Sequence, residues 1–239
     1  MYITKRSFTA LVLSAALLLG VPYASASDSS VDNVNHATSS VQLQADALIA
    51  SIDDEVLKEA ALNNAVDASV PISIRESVGA DATFIPFSRS GQDAVEVEVN
   101  STVQKLGEIV CEDGGIANMY VSAAAATVKE DYEHWYLRDV HAWSFVYWID
   151  NPGDNNQLHS VRGSWSTGGM AVENRVLEYG NSHVGGLGWI GYVSRVRVSE
   201  DDSTLYDNSY TGLTFRCDAS IDVVNIGTLT VTAFSRVTT

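Results

Sequence analysis

Hydrophobic and polar positions alternate along most of the chain after Asp93. In Asp93-Ala94-Val95-Glu96-Val97-Glu98-Val99 three valines fall on one face and two glutamates on the other, the period of a half-buried strand. Similar runs follow at residues 103–111, 157–165, 170–179, 187–198, 213–217 and 228–237. In the last of them Leu229, Val231 and Ala233 alternate with Thr228, Thr230 and Thr232, a clean division into inside and outside. Turn-forming clusters separate the runs: Glu112-Asp113-Gly114-Gly115, Asn151-Pro152-Gly153-Asp154, Gly168-Gly169, Gly180-Asn181 and Asp201-Asp202. Many short strands with such punctuation predict an all-β fold, an antiparallel β-sandwich or barrel over residues 93–239.

Two stretches need more than the alternation. Residues 116–132 hold four consecutive alanines and the helix-compatible Val128-Lys129-Glu130-Asp131. Yet Met119, Val121, Ala123 and Ala125 alternate with Tyr120, Ser122 and Ala124, which predicts a long strand whose small side chains face a tight neighbour. The aromatic run from Tyr132 to Asp150, read as one strand, puts Trp143, Phe145, Tyr147 and Ile149 on one face and Ala142, Ser144, Val146 and Trp148 on the other. Both faces are apolar from Trp143 onward, as in a central strand covered on both sides. Before Trp143 both faces mix charge with aromatics, so the strand is expected to leave the core near His141 and end at a rim or groove.

The period differs ahead of Asp93. Ser39-Ser40-Val41-Gln42 has the form of a capping box, and Val41, Ala45, Leu48, Ile52 and Val56 recur at three- and four-residue steps, predicting an amphipathic helix. Asp53-Asp54-Glu55 equally suits the start of a second helix capped by Ser51, with Asn63-Asn64 and Pro71 as stops. The flanking segments are polar and weakly patterned. Residues 27–92 are therefore expected to be an acidic linker or pro-segment with one or two helices, divided near Gly91 from a body that folds alone. A helix docked permanently on that body fits the same pattern.

Composition adds an address. Lys5 and Arg6, an apolar run at residues 8–21 and the small-residue site Ala24-Ser25-Ala26 read as a secretory signal peptide at residues 1–26. The run is shorter than the roughly 20 residues a bilayer-spanning helix needs, so cleavage after Ala26 and a secreted, extracellular protein are expected. The whole chain carries a net charge of -16; losing Lys5 and Arg6 from its 14 basic residues against 30 acidic ones gives -18. A protein so acidic repels phosphate backbones and anionic lipid, which argues against nucleic acid and disfavours membrane binding. Cys111 and Cys217, an even pair in an oxidising compartment, are expected to form one disulfide.

Chemical motifs are sparse. Asp139 and His141 lie about 6.6 Å apart along a strand, close enough for the carboxylate to orient the imidazole, or to be an ordinary polar pair beside Arg138. Gly163 to Gly169 places a serine between glycines but is not a nucleophile elbow. The histidines show no zinc spacing, Asp150 to Asn156 lacks the spacing of a calcium loop, and no cofactor motif is found. No catalytic motif is found either, leaving the question of an enzyme open. Tryptophan beside glycine at Gly163-Ser164-Trp165 and Gly188-Trp189 suggests indoles presented at loops, where a ligand can approach. The residues expected to contact a ligand are Trp135, Asp139, His141, Trp165 and Trp189. The corresponding function is a secreted, disulfide-stapled binding or interaction domain for a glycan or protein surface. The alternatives are a membrane-active effector inserting a β-hairpin built on residues 116–128, and a secreted hydrolase using Asp139 and His141.

Overall fold

A computed structural model describes residues 39–87, 95–128, 140–151, 156–182, 189–198, 200–207, 211–212 and 214–236. Three helices come first: α1 (Ser40–Ala50), α2 (Asp54–Leu62) and α3 (Ile72–Ser77). The strands are β1 (Val78–Pro86), β2 (Val97–Val110), β3 (Ile116–Val128), β4 (His141–Asp150), β5 (Asn156–Ser166), β6 (Val172–Ser182), β7 (Trp189–Val198), β8 (Asp202–Tyr206), β9 (Thr211–Gly212), β10 (Thr214–Val223) and β11 (Gly227–Arg236). They form two antiparallel sheets. Sheet A has the order β1-β11-β10-β6-β7, and sheet B the order β2-β3-β4-β5-β8 with β9 also on β5. The fold is the expected all-β sandwich.

Alternation decides which side chains go where. The inward faces of both sheets share one core: Phe84, Leu229, Val231, Ala233, Cys217, Ala219, Ile221 and Leu177 from sheet A meet Tyr120, Ala124, Val146, Trp148, Leu158, Val161 and Trp165 from sheet B. Sheet B also buries its other face. Met119, Val121, Ala123 and Ala125 of β3 and Trp143, Phe145, Tyr147 and Ile149 of β4 pack there with Ala45 of α1 and Leu57 and Ala61 of α2. Both faces of the aromatic run thus lie in a core from Trp143 onward, as its pattern predicts. The alanine-rich segment is β3, inside the double-covered sheet, where short side chains let the helices approach.

The first two helices start at side-chain caps. The Ser39 hydroxyl accepts from the Gln42 N–H at 3.2 Å, and the Asp53 carboxylate accepts from the Glu55 N–H at 2.9 Å. The apolar pattern of residues 41–56 is split between two helices, with Asp53 as the second cap and Ser51 ending α1, and α3, starting after Pro71, is a third helix where one or two were expected. Val56, counted on the apolar stripe of a single helix, is 54 % exposed because the break at Ser51-Ile52 resets the phase. Asn64, at φ 49°, turns the chain out of α2.

Two expectations change here. The segment before Gly91 is no separate linker: the chain from Thr38 to Thr239 forms one compact unit. β1, hidden in a stretch that reads as polar linker, pairs with β11 over nine residues and sends Phe84 into the core. Gly180-Asn181 is not a turn but lies within β6, at a register irregularity against β7.

The disulfide is also overturned, since Cys111 and Cys217 are both free. Cys217 sits mid-strand in β10, facing the core between the sheets, whereas Cys111 follows β2 and packs against the cluster on the far side of sheet B. Sheet B separates them, and a bridge needs Cα atoms within about 7 Å. Burial pushes the Cys217 thiol up to about 12, so the side chain behaves as a small core hydrophobe, while the Cys217 main-chain carbonyl ties the sheets by accepting from the Ser144 hydroxyl at 2.7 Å.

Candidate functional site

Of the residues expected to contact a ligand, His141 is where the pattern placed it, at the first position of β4 and half-buried. The register aligns it with Thr127 of β3, Thr127 with Glu98 of β2, and His141 with Ser166 of β5. These four side chains form one row across four adjacent strands, about 14 Å long at the usual strand spacing. Glu98 and Ser166 are exposed. The Thr127 hydroxyl lies 2.7 Å from His141 Nδ1, and the His141 ring sits 5.5 Å from that of Trp143. Asn100 donates to the Glu98 carboxylate at 3.1 Å.

The next row inward belongs to α2. Lys58 holds its ammonium 5.5 Å over the Trp143 ring and pairs with Glu55 at 3.0 Å and Asp202 at 3.6 Å. Trp143, 7 % exposed, is thereby a core side chain roofed by a cation. The His141 row lies just beyond this roof, at the end of sheet B where residues 129–139 join β3 to β4.

The other expected contacts divide. Trp165 is corrected: it is 3 % exposed, within the core between the sheets. Its glycine neighbour makes room not for a ligand but for this indole, since a Cβ on Gly163 would come within 2.6 Å of the Trp165 ring. Trp189 opens β7 with its backbone opposite Ser182. The expectations for the Trp189 indole, and for Trp135 and Asp139, lie outside what the structure describes.

A second polar cluster has no counterpart in the sequence reading. His159, at an irregularity in the β4–β5 register, is 1 % exposed beneath α1. Its Nε2 lies 3.1 Å from the Asp46 carboxylate and 2.7 Å from the Gln42 amide, and its Nδ1 3.0 Å from the Ser160 hydroxyl. Burial lowers its pKa, with Asp46 pulling the other way. Serine, histidine and aspartate in series match a hydrolytic relay only in composition: Ser160 is buried, and no substrate reaches its oxygen. The cluster clasps α1 to the sheet. Nothing in the sequence could pair Asp46 with His159, 113 positions away.

Arg162 clasps α2 in the same way. It bridges Asp54 of α2 and Asp202 of β8, with the Asp202 contact at 3.0 Å, and stands 5.7 Å from the Phe145 ring. Burial lowers its pKa, but the two carboxylates outweigh this and raise it. Asp202 is raised by burial, yet its bonds from Ser164 and Arg162 and the Lys58 charge bring it below the ordinary range. Tyr147, beneath the helices, is pushed up to about 12 by burial. Among the described residues no three His, Cys, Asp or Glu side chains converge as metal ligands, and no helix is long and apolar enough to cross a membrane. Comparison with protein-family models, curated proteins and solved structures gives no match.

Proposed function

We propose that the protein is an exported binding module that offers the His141 rim of sheet B to a hydroxyl-rich ligand, a glycan. One observation carries this: Glu98, Thr127, His141 and Ser166 stand in a single row across β2 to β5, just past the roof made by α2. The row combines a carboxylate, two hydroxyls and an imidazole, which together accept from and donate to sugar hydroxyls. The leader-like first 26 residues support export. The net charge of -16 weighs against nucleic acid and anionic lipid as ligands.

A glycan array probed with the full chain and with His141→Ala and Thr127→Val tests the proposal. The full chain should bind a defined subset of glycans. Each variant should lose about tenfold in affinity, the effect of about one hydrogen bond to a partly buried group. An empty array, or variants that bind as well as the parent, overturns it, and capture of a protein partner instead would move the ligand class to a protein surface.

A further inference from the structure

β2 is an edge strand. It pairs with β3 on one side, and on the other its main chain is met by side chains from the helical segment before β1. The Gln44 amide makes two bonds to one residue, accepting from the Val110 N–H at 3.0 Å and donating to the Val110 carbonyl at 3.0 Å. A residue of a neighbouring strand would do the same. Asn64 Oδ1 accepts from the Ser101 N–H at 2.7 Å, and Asp67 Oδ2 from the Lys105 N–H at 3.0 Å. Gln44, Asn64 and Asp67 together stand in for a missing strand.

Those contacts also fix the phase of the free edge. Ser101 and Lys105 point their N–H groups outward before the irregularity at Lys105/Gly107, and Val110 does so after it. The irregularity therefore shifts the outward set from odd to even positions. Two β2 strands set antiparallel, with Lys105 opposite Glu108 and Val103 opposite Val110, bring outward positions face to face on both sides. A two-fold axis then passes between Leu106 and Gly107. Lys105 and Glu108 share a side of the strand, being 3.1 Å apart within one chain, so in this register each lysine meets the other copy's glutamate. Opposite charges facing across paired strands favour this register over its neighbours.

We propose that the outer edge of β2 is a homotypic strand-pairing site that Gln44, Asn64 and Asp67 keep closed, and that a second copy of the chain is its occupant once they lift. The segment thus guards the protein against edge-to-edge association and sets the point at which association begins.

The test uses the full chain carrying Gln44→Ala, Asn64→Ala and Asp67→Ala together, followed by sedimentation over a concentration series. About 0.15 M salt, where the Debye length is about 8 Å, screens the repulsion between two acidic copies. The triple variant should form a discrete dimer at least tenfold more tightly than the parent. Adding Lys105→Glu should abolish the dimer, and adding Glu108→Lys to that should restore it. A triple variant with an intact β-sheet circular dichroism spectrum that stays monomeric overturns the proposal, as do open-ended aggregates or a dimer indifferent to Lys105→Glu. Should the triple variant fail to fold, Gln44→Ala alone serves, read by hydrogen exchange at Val110. Protection that rises with protein concentration supports the proposal, and protection independent of concentration overturns it.

Discussion

The Trp165 indole lies over Gly163, two residues back on the same inward face of β5. An alanine at position 163 would push into the ring, and Leu177 of the facing sheet limits its retreat, with a Cδ1 that would be 3.1 Å from the new Cβ. Gly163→Ala should therefore cost about 1–3 kcal/mol as overpacking. Trp165→Ala should cost about 3–5 kcal/mol, the same range as Trp148→Ala, because both empty a core site. Urea denaturation of the three variants checks this. A cost near zero for Trp165→Ala would return that indole to the surface. The tryptophan-glycine pairing was legible as a close approach, but the sequence did not say what approaches.

Among the elements, α1 and α2 are each held to sheet B by a polar clasp beside their apolar packing, and the His159 clasp has a pH dependence of definite sign. The ring is held below its ordinary pKa by burial, against the pull of Asp46. The unfolded chain therefore binds a proton that the folded chain refuses once pH falls below about 6.5. The clasp's contribution is present above that pH and is lost as pH falls through the folded pKa. The carboxyls of Asp67 and Asp202, both below their ordinary range, act at lower pH still. Between about pH 7 and pH 5, the melting temperature of the parent should fall more steeply than that of His159→Gln, as differential scanning fluorimetry would show. Parallel slopes would remove His159 from the account.

Over the whole molecule, a body starting at Asp93 is not a complete fold. Such a chain lacks β1, the partner of β11, and the helices that cover the outer face of sheet B. Leu57 alone, fully buried beneath α2, is worth about 2–5 kcal/mol against alanine, comparable with the whole stability of about 5–15 kcal/mol usual for a domain. A chain starting at Thr38 should melt cooperatively like the full protein, whereas one starting at Asp93 should be molten or aggregated. Calorimetry of the two separates these outcomes. A sharp transition for the shorter chain would mean that sheet B tolerates an open face.

The sequence by itself determined the all-β class, most strand positions, the two-faced burial of Trp143 to Ile149 and the place of His141 at a strand's end. These follow from a period of two and from turn residues, which act within a few positions of the chain. Tertiary structure alone decided the rest. Phe84 reaches the core through a strand whose small and polar residues carry no strong alternation, and Cys111 and Cys217 lie on opposite sides of sheet B although parity and compartment invited a bridge. Asp46 meets His159, Asp54 meets Arg162 and Gln44 meets Val110 because helices fold back over a sheet. Each of those pairings is set by the packing of whole elements, and local pattern carries no record of which distant element will be its neighbour.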